Sequence, residues 1–331
     1  MRNSISRRGV LQVIGAGIAL PASVLALGSI AANRPTPVRW TGACLGAMSQ
    51  MTLWHKRPSH AKKTIFQLVV EIERLENIFS LYRSDSEISR LNRDGQIQAP
   101  SSDLIKVLEQ SQIAAQISSG AFDPTVQSLW NAYNLLDNSY PFTKEKLRRT
   151  TIDVALSRVD YTAIATRAGS IRLEILGLQV SLNGIAQGYI TDRVIEILGN
   201  QGFENAVIDL GETRTLGAMP DGSPYTIGLI DPTAPEKIAE DIQLTNAAVS
   251  VSGGYGSRFK ASNTHHIFNP QTGLSANHMQ QVVVIAAKAV DADVLSTAIY
   301  VAGESKARHL LDAYPGSQAI LTRNDGSTVR L

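Results

Sequence analysis

Ala289-Val290-Asp291-Ala292-Asp293-Val294-Leu295-Ser296-Thr297-Ala298 is the stretch on which the reading turns. Its apolar residues, with no glycine or proline through Ala302, predict a helix over 289–302. On that helix Asp293 and Thr297 lie four residues apart and share a face. A carboxylate one turn from a hydroxyl is a hard-oxygen pair suited to Mg²⁺. The plainer reading stays open: an acid near a helix N-terminus that favours the dipole, beside an incidental threonine.

Working outward, 281–286 precedes this helix as a strand-like run. Further strands are expected at 171–176, 206–210, 225–229 and 247–251, and Trp40 to Trp54 carries one or two more. Ile65, Leu68, Val69, Ile72, Leu75 and Ile78 recur at helical spacing, predicting an amphipathic helix over 61–79. Other helices fall near 103–117 and 185–199. No internal repeat appears, and strands alternate with helices throughout. The expected class is α+β, with mixed sheets, interspersed helices and two coupled lobes.

The chain has 331 residues, 44% of them hydrophobic, enough for a large core. Its one cysteine, Cys44, excludes an internal disulfide and a Cys-rich metal site. Arg2, Arg7 and Arg8 precede a small-residue apolar run that ends in Ser29-Ile30-Ala31. Residues 1–32 therefore read as an export signal, and Arg7-Arg8 is similar to a twin-arginine signal. An uncleaved anchor is the alternative, with transient membrane association through the same segment. Residues 33–39, with two prolines, read as a linker into a domain over 40–331. Without the three arginines the formal charge falls from +2 to −1, and no basic tract points to nucleic acid. A periplasmic or other extracytoplasmic location follows as an expectation.

Four other segments carry candidate chemistry. Leu182-Asn183-Gly184-Ile185-Ala186-Gln187-Gly188-Tyr189 opens a helix whose N–H groups could receive phosphate oxygens, or pack tightly on a neighbour. His265-His266-Ile267-Phe268-Asn269-Pro270-Gln271-Thr272-Gly273 is a turn entered by two histidines, of which His266 is a candidate base or phosphate partner. Ser80 to Asn92 is a polar loop that offers the Tyr82 ring, with Ser86 placed to cap a short helix. Gly120-Ala121-Phe122-Asp123-Pro124-Thr125 is a turn able to edge a planar ring.

In order and spacing these segments, with Val251-Ser252-Gly253-Gly254-Tyr255, resemble the ApbE family, over nearly the whole chain from Trp40 onward. Members of that family bind FAD and, with Mg²⁺, transfer FMN to a threonine or serine of an acceptor flavoprotein, releasing AMP. The resemblance implies that Asp293 and Thr297 ligate Mg²⁺ with a backbone oxygen at Gly184 or Ala186. It implies that Leu45, Tyr82, Ala121, Phe122, Asp123, Ser181, Gln187 and Ile267 border FAD, and that His266 is the proton acceptor. The family's Met-Gly-Thr is Leu45-Gly46-Ala47 here, and its Asp and Lys around Gly-Ile-Ala are Ser181 and Gln187. Its His-Ile-x-Asp-Pro aspartate is Asn269, and its paired glycines after Asp209-Leu210 are Gly211-Glu212. Two further readings accompany transfer: FAD binding with little turnover, and Mg²⁺-dependent hydrolysis of FAD to FMN and AMP.

Overall fold

The computed structural model describes residues 34–139, 144–167, 169–260 and 264–331. Segment 1–32, expected as an export signal, lies outside the described residues. The expected linker is shorter than the prolines suggest, because β1 (Thr36–Cys44) already pairs with β2 (Ala47–His55) from Thr36 onward. β1 is an edge strand, where the missing N–H of Pro37 is tolerated. The β1–β2 turn is Leu45-Gly46, with φ of +48° and +86°, the sign pattern of a type I′ hairpin.

The first half continues with α1 (Pro58–Phe79), α2 (Glu87–Asp94), β3 (Gln96–Gln98), α3 (Ser102–Ile117), α4 (Gln127–Ser139) and α5 (Glu145–Leu156). Then come β4 (Ile164–Arg167), β5 (Ser170–Leu173), α6 (Ala186–Asn200), β6 (Asn205–Asp209) and β7 (Thr213–Leu216). β8 (Tyr225–Asp231), β9 (Ala234–Leu244), β10 (Ala248–Gly253), β11 (Met279–Ala286) and α7 (Ala289–Ala302) follow. The chain ends with α8 (Glu304–Asp312), β12 (Gln318–Arg323) and β13 (Thr328–Arg330). This is an α+β fold. The strand expected over 171–176 stops at Leu173, because Leu178 N–H turns back onto the Ile175 carbonyl at 3.0 Å.

The main sheet has the order β1-β2-β6-β7-β10-β11-β12-β13, and its pairs run antiparallel. Period-two alternation assigns its faces. Met51, Leu53, Ala206, Ile208, Val282 and Val284 enter the large core beneath α1, α6 and α7. Their neighbours Trp54, Val207, Val249 and Val283 meet Tyr225, Ile227, Leu229, Ile242 and Leu244 of the β8–β9 ribbon on the opposite face. Both faces are thus covered, each buried aliphatic contributing about 1.5–3 kcal/mol of transfer free energy. A smaller sheet, β3-β5-β4, lies apart from this one.

Two helices on the core side decide where the chemistry lies. A Cβ added at Gly188 of α6 would stand 2.6 Å from the Ala289 carbonyl oxygen and 2.7 Å from Val290 Cα. α6 and α7 therefore touch backbone to backbone, which only glycine permits here. Lys288 gives α7 no side-chain cap. Asp192 of α6 caps it instead, accepting from Ala289 N at 2.8 Å and Val290 N at 3.0 Å, and Arg214 pairs with the same carboxylate.

Asp192→Ala should thus cost about 2 kcal/mol, a lost cap with a partly buried ion pair. Urea unfolding should show a lower midpoint, and Asp192→Asn should recover part of the loss. An unchanged midpoint in the alanine variant would refute this account of how α7 is anchored.

Candidate active site

Asp293 lies in the first turns of α7 and is 4% exposed. Its Oδ2 accepts a hydrogen bond from Gly188 N at 3.1 Å, so it serves α6 as a cap from outside the helix. Burial holds the Asp293 carboxyl well above the usual range; the Gly188 N–H opposes this and the nearby Asp192 charge adds to it. One turn on, half-buried Thr297 faces Gly184: a Cβ at 184 would come within 3.3 Å of Thr297 Oγ1 and 3.2 Å of the Phe122 ring. The structure brings Asp293, Thr297, Gly184 and Phe122 to one place, at the head of α6. Ala186, whose N–H bonds the Leu182 carbonyl at 2.8 Å, starts that helix.

The phosphate expectation for this helix start is only partly met. Ile185 N and Ala186 N are taken by Leu182 O, and Gly188 N by Asp293. Gln187 is half-buried, with its amide against Gly211, where a Cβ would clash at 2.2 Å from Nε2. Ser181 anchors to the 121–125 turn through its N–H and the Pro124 carbonyl, at 2.7 Å.

In that turn Ala121 is half-buried, and the Asp123 carboxylate is already engaged by Thr125 and Tyr161. Its Oδ1 accepts from Thr125 N at 2.7 Å and Thr125 Oγ1 at 2.5 Å, and its Oδ2 from Tyr161 N at 3.3 Å. Burial still raises its pKa. Asp123 therefore shapes the turn, and the Phe122 ring is the part that reaches Gly184.

Leu45 and Tyr82 form a second corner. Leu45 N donates to Glu76 Oε1 at 2.6 Å, and this bond holds a leucine in a left-handed conformation. The Tyr82 ring, 67% exposed, lies beside Gly46 of the same turn. Ser86 caps α2 by accepting from Ser89 N at 3.1 Å, as its sequence context suggests.

The two histidines separate by their partners. His265 is buried and satisfied: Nε2 meets the Ala276 carbonyl at 2.8 Å, and Nδ1 accepts from Ile267 N at 3.3 Å. His266 Nδ1 meets the Ser257 carbonyl at 3.1 Å. A carbonyl can only accept, so Nδ1 carries the proton and Nε2 is left as the acceptor nitrogen. Desolvation lowers the His266 pKa to about 4, so the ring is neutral near pH 7. Ile267 is buried beside it, and the His265 ring lies edge-on to Tyr300 of α7, centroids 5.8 Å apart. The turn is thereby tied to the helix that carries Asp293.

The sequence reading missed a polar set behind this site. Ser250 and Ser252 alternate along β10 and point at α7: Ser296 Oγ lies 3.0 Å from Ser250 Oγ and 2.8 Å from Ser252 Oγ, and Ser252 Oγ lies 3.3 Å from Thr297 Oγ1. Their two-residue spacing was the available signal. Glu212, in the turn between β6 and β7, is buried as well. Among the described residues no group of three or more His, Cys, Asp or Glu side chains is placed to hold a metal. Any cation here rests on a mixed set of carboxylate, hydroxyl and backbone oxygens, which suits a hard ion such as Mg²⁺.

A family model described as the ApbE family matches residues 45–321. Among curated proteins, one named FAD:protein FMN transferase from Treponema pallidum is 27% identical over 301 residues, covering 83% of this chain and 82% of that protein. One of the same name from Haemophilus influenzae is 27% identical over 281 residues, covering 81% of each. Among solved structures, the ApbE protein of Thermotoga maritima aligns with a TM-score of 0.76 at 25% identity, covering 89% of this chain and 97% of its own. The flavin transferase ApbE of Vibrio cholerae, at 22% identity and a TM-score of 0.76, shares the fold. With a match across most of its length, the chain belongs to the ApbE family.

Proposed function

We propose that this protein is an FAD:protein FMN transferase, moving FMN from FAD to a threonine or serine hydroxyl of an acceptor flavoprotein. The carrying observation is the buried Asp293 carboxylate at the Gly188 N–H, with the Thr297 hydroxyl one turn on over Gly184, both at the head of α6. Those two side chains, with a backbone oxygen at Gly184 or Ala186, are the residues that would hold Mg²⁺. When bound, the ion supplies positive charge to the diphosphate as negative charge moves onto the leaving group.

The chain's own groups do the rest. The acceptor Oγ forms a bond to the FMN phosphorus, and the bond from that phosphorus to the bridging oxygen breaks. AMP departs with that oxygen, and the hydroxyl proton passes to His266 Nε2, the nitrogen that the Ser257 contact leaves unprotonated. Phe122 narrows the space over Gly184, while Leu45 and Tyr82 offer an apolar edge for a ring. By the same reading, the Arg7-Arg8 segment directs the chain out of the cytoplasm.

One observation favours a second reading, FAD binding with little turnover. Gln187 is uncharged, and its amide packs on Gly211. Tight FAD binding with neither adduct nor AMP would select it.

Four outcomes are expected. Incubated with FAD, Mg²⁺ and a panel of acceptor flavoproteins, the protein should form a covalent fluorescent adduct and one AMP per flavin transferred. No adduct across the panel would end the transferase reading, and AMP without an acceptor would indicate hydrolysis. Asp293→Ala should abolish transfer while keeping the far-ultraviolet circular dichroism of the wild type; full activity would sink the cation assignment. His266→Ala should slow turnover by about 10²–10⁴-fold, the usual contribution of a proton acceptor. Since only the neutral ring accepts a proton, wild-type kcat should hold as pH falls and collapse near 4; a limb near 6.5 would show a different base.

A further inference from the structure

We infer that Glu212 is a third side-chain ligand of the divalent cation, beside Asp293 and Thr297. The inference rests on the cation reading given above and adds a residue where the family pattern has glycine.

Glu212 is 7% exposed, and its Oε2 has no hydrogen-bond partner. The Ser250 hydroxyl acts on the same carboxylate, favouring its charged form, and the series Ser250, Ser296, Ser252, Thr297 runs hydroxyl to hydroxyl toward the proposed site. α6 fixes the placement independently. Gly188 N donates to the Asp293 carboxylate, and Thr191 Oγ1 donates to the Glu212 backbone carbonyl at 3.4 Å. Residues 188 and 191 are three apart on one helix face, so Glu212 and Asp293 meet α6 side by side.

The electrostatics agree. The charges acting on Glu212 are those of Asp293 and Asp209, both negative. A buried carboxylate with a bare oxygen and acidic neighbours is costly unless it is protonated or meets a cation. Two carboxylates and a hydroxyl make a hard-oxygen set that neutralises a divalent ion.

The test uses Mn²⁺ as the probe on FAD-free protein, followed by electron paramagnetic resonance and by the thermal shift that the ion induces. Wild type, Glu212→Gln, Glu212→Gly and Asp293→Ala are compared, each with its ion-free midpoint to show that it folds. Both Glu212 variants should bind Mn²⁺ at least tenfold more weakly, with a smaller ion-induced shift, and Asp293→Ala should lose binding. If both Glu212 variants bind like wild type while Asp293→Ala does not, Glu212 is no ligand and the cation reading stands. If Asp293→Ala also binds like wild type, or wild type binds no Mn²⁺, both ideas fall.

Discussion

The backbone contact between α6 and α7 at Gly188 is the constraint on which the molecule depends. Because residue 188 has no side chain, the first turn of α7 lies directly on α6, and Asp293 can reach the Gly188 N–H. In return, Asp192 of α6 caps α7. Each helix thus completes hydrogen bonds at the other's first turns, and the acid at their junction is buried by the same packing that fixes its direction. A side chain at 188 would separate the helices and break the bond between Asp293 and the Gly188 N–H.

This arrangement explains an otherwise awkward concentration of polar groups in the core. Asp293, Glu212, Ser250, Ser252 and Ser296 are all buried, on the side of the sheet where aliphatic residues of β11, α6 and α7 pack together. Hydroxyls satisfy one another there, but carboxylates need a donor or a counter-charge. Asp293 has its donor in α6. The set as a whole suits a positive charge, as the proposed action on a diphosphate would require.

Much of the fold was legible because its elements bury one face in a regular period. The helix over 61–79 and the helix over 289–302 were readable from their apolar residues, as were the strands around 206–210 and 281–286. α5 and β9 were not. α5 buries only Ala155, so it has no apolar stripe to recognise. β9 is a charged run, Ala-Pro-Glu-Lys-Ile-Ala-Glu-Asp, that becomes a strand through pairing with β8. At the site, Asp293 and Thr297 could be paired from their helical spacing, while Gly184 joined them only through the family resemblance. The different fates of His265 and His266 could not, since they depend on which carbonyls lie nearby. Asp123 is similar: its carboxylate is taken up by Thr125 in its own turn and by the distant Tyr161 N–H, a fact of three-dimensional hydrogen bonding that no spacing records.

The outer side of β1 carries one more implication. Among the described residues the sheet is open, and its first strand forms an edge that carries Pro37, which has no N–H, and exposed Arg39. A second chain attempting to add itself there would meet an interrupted ladder and a charge. The border is therefore poorly suited to strand-by-strand aggregation, a useful property in a protein whose proposed task requires meeting other folded proteins in crowded surroundings.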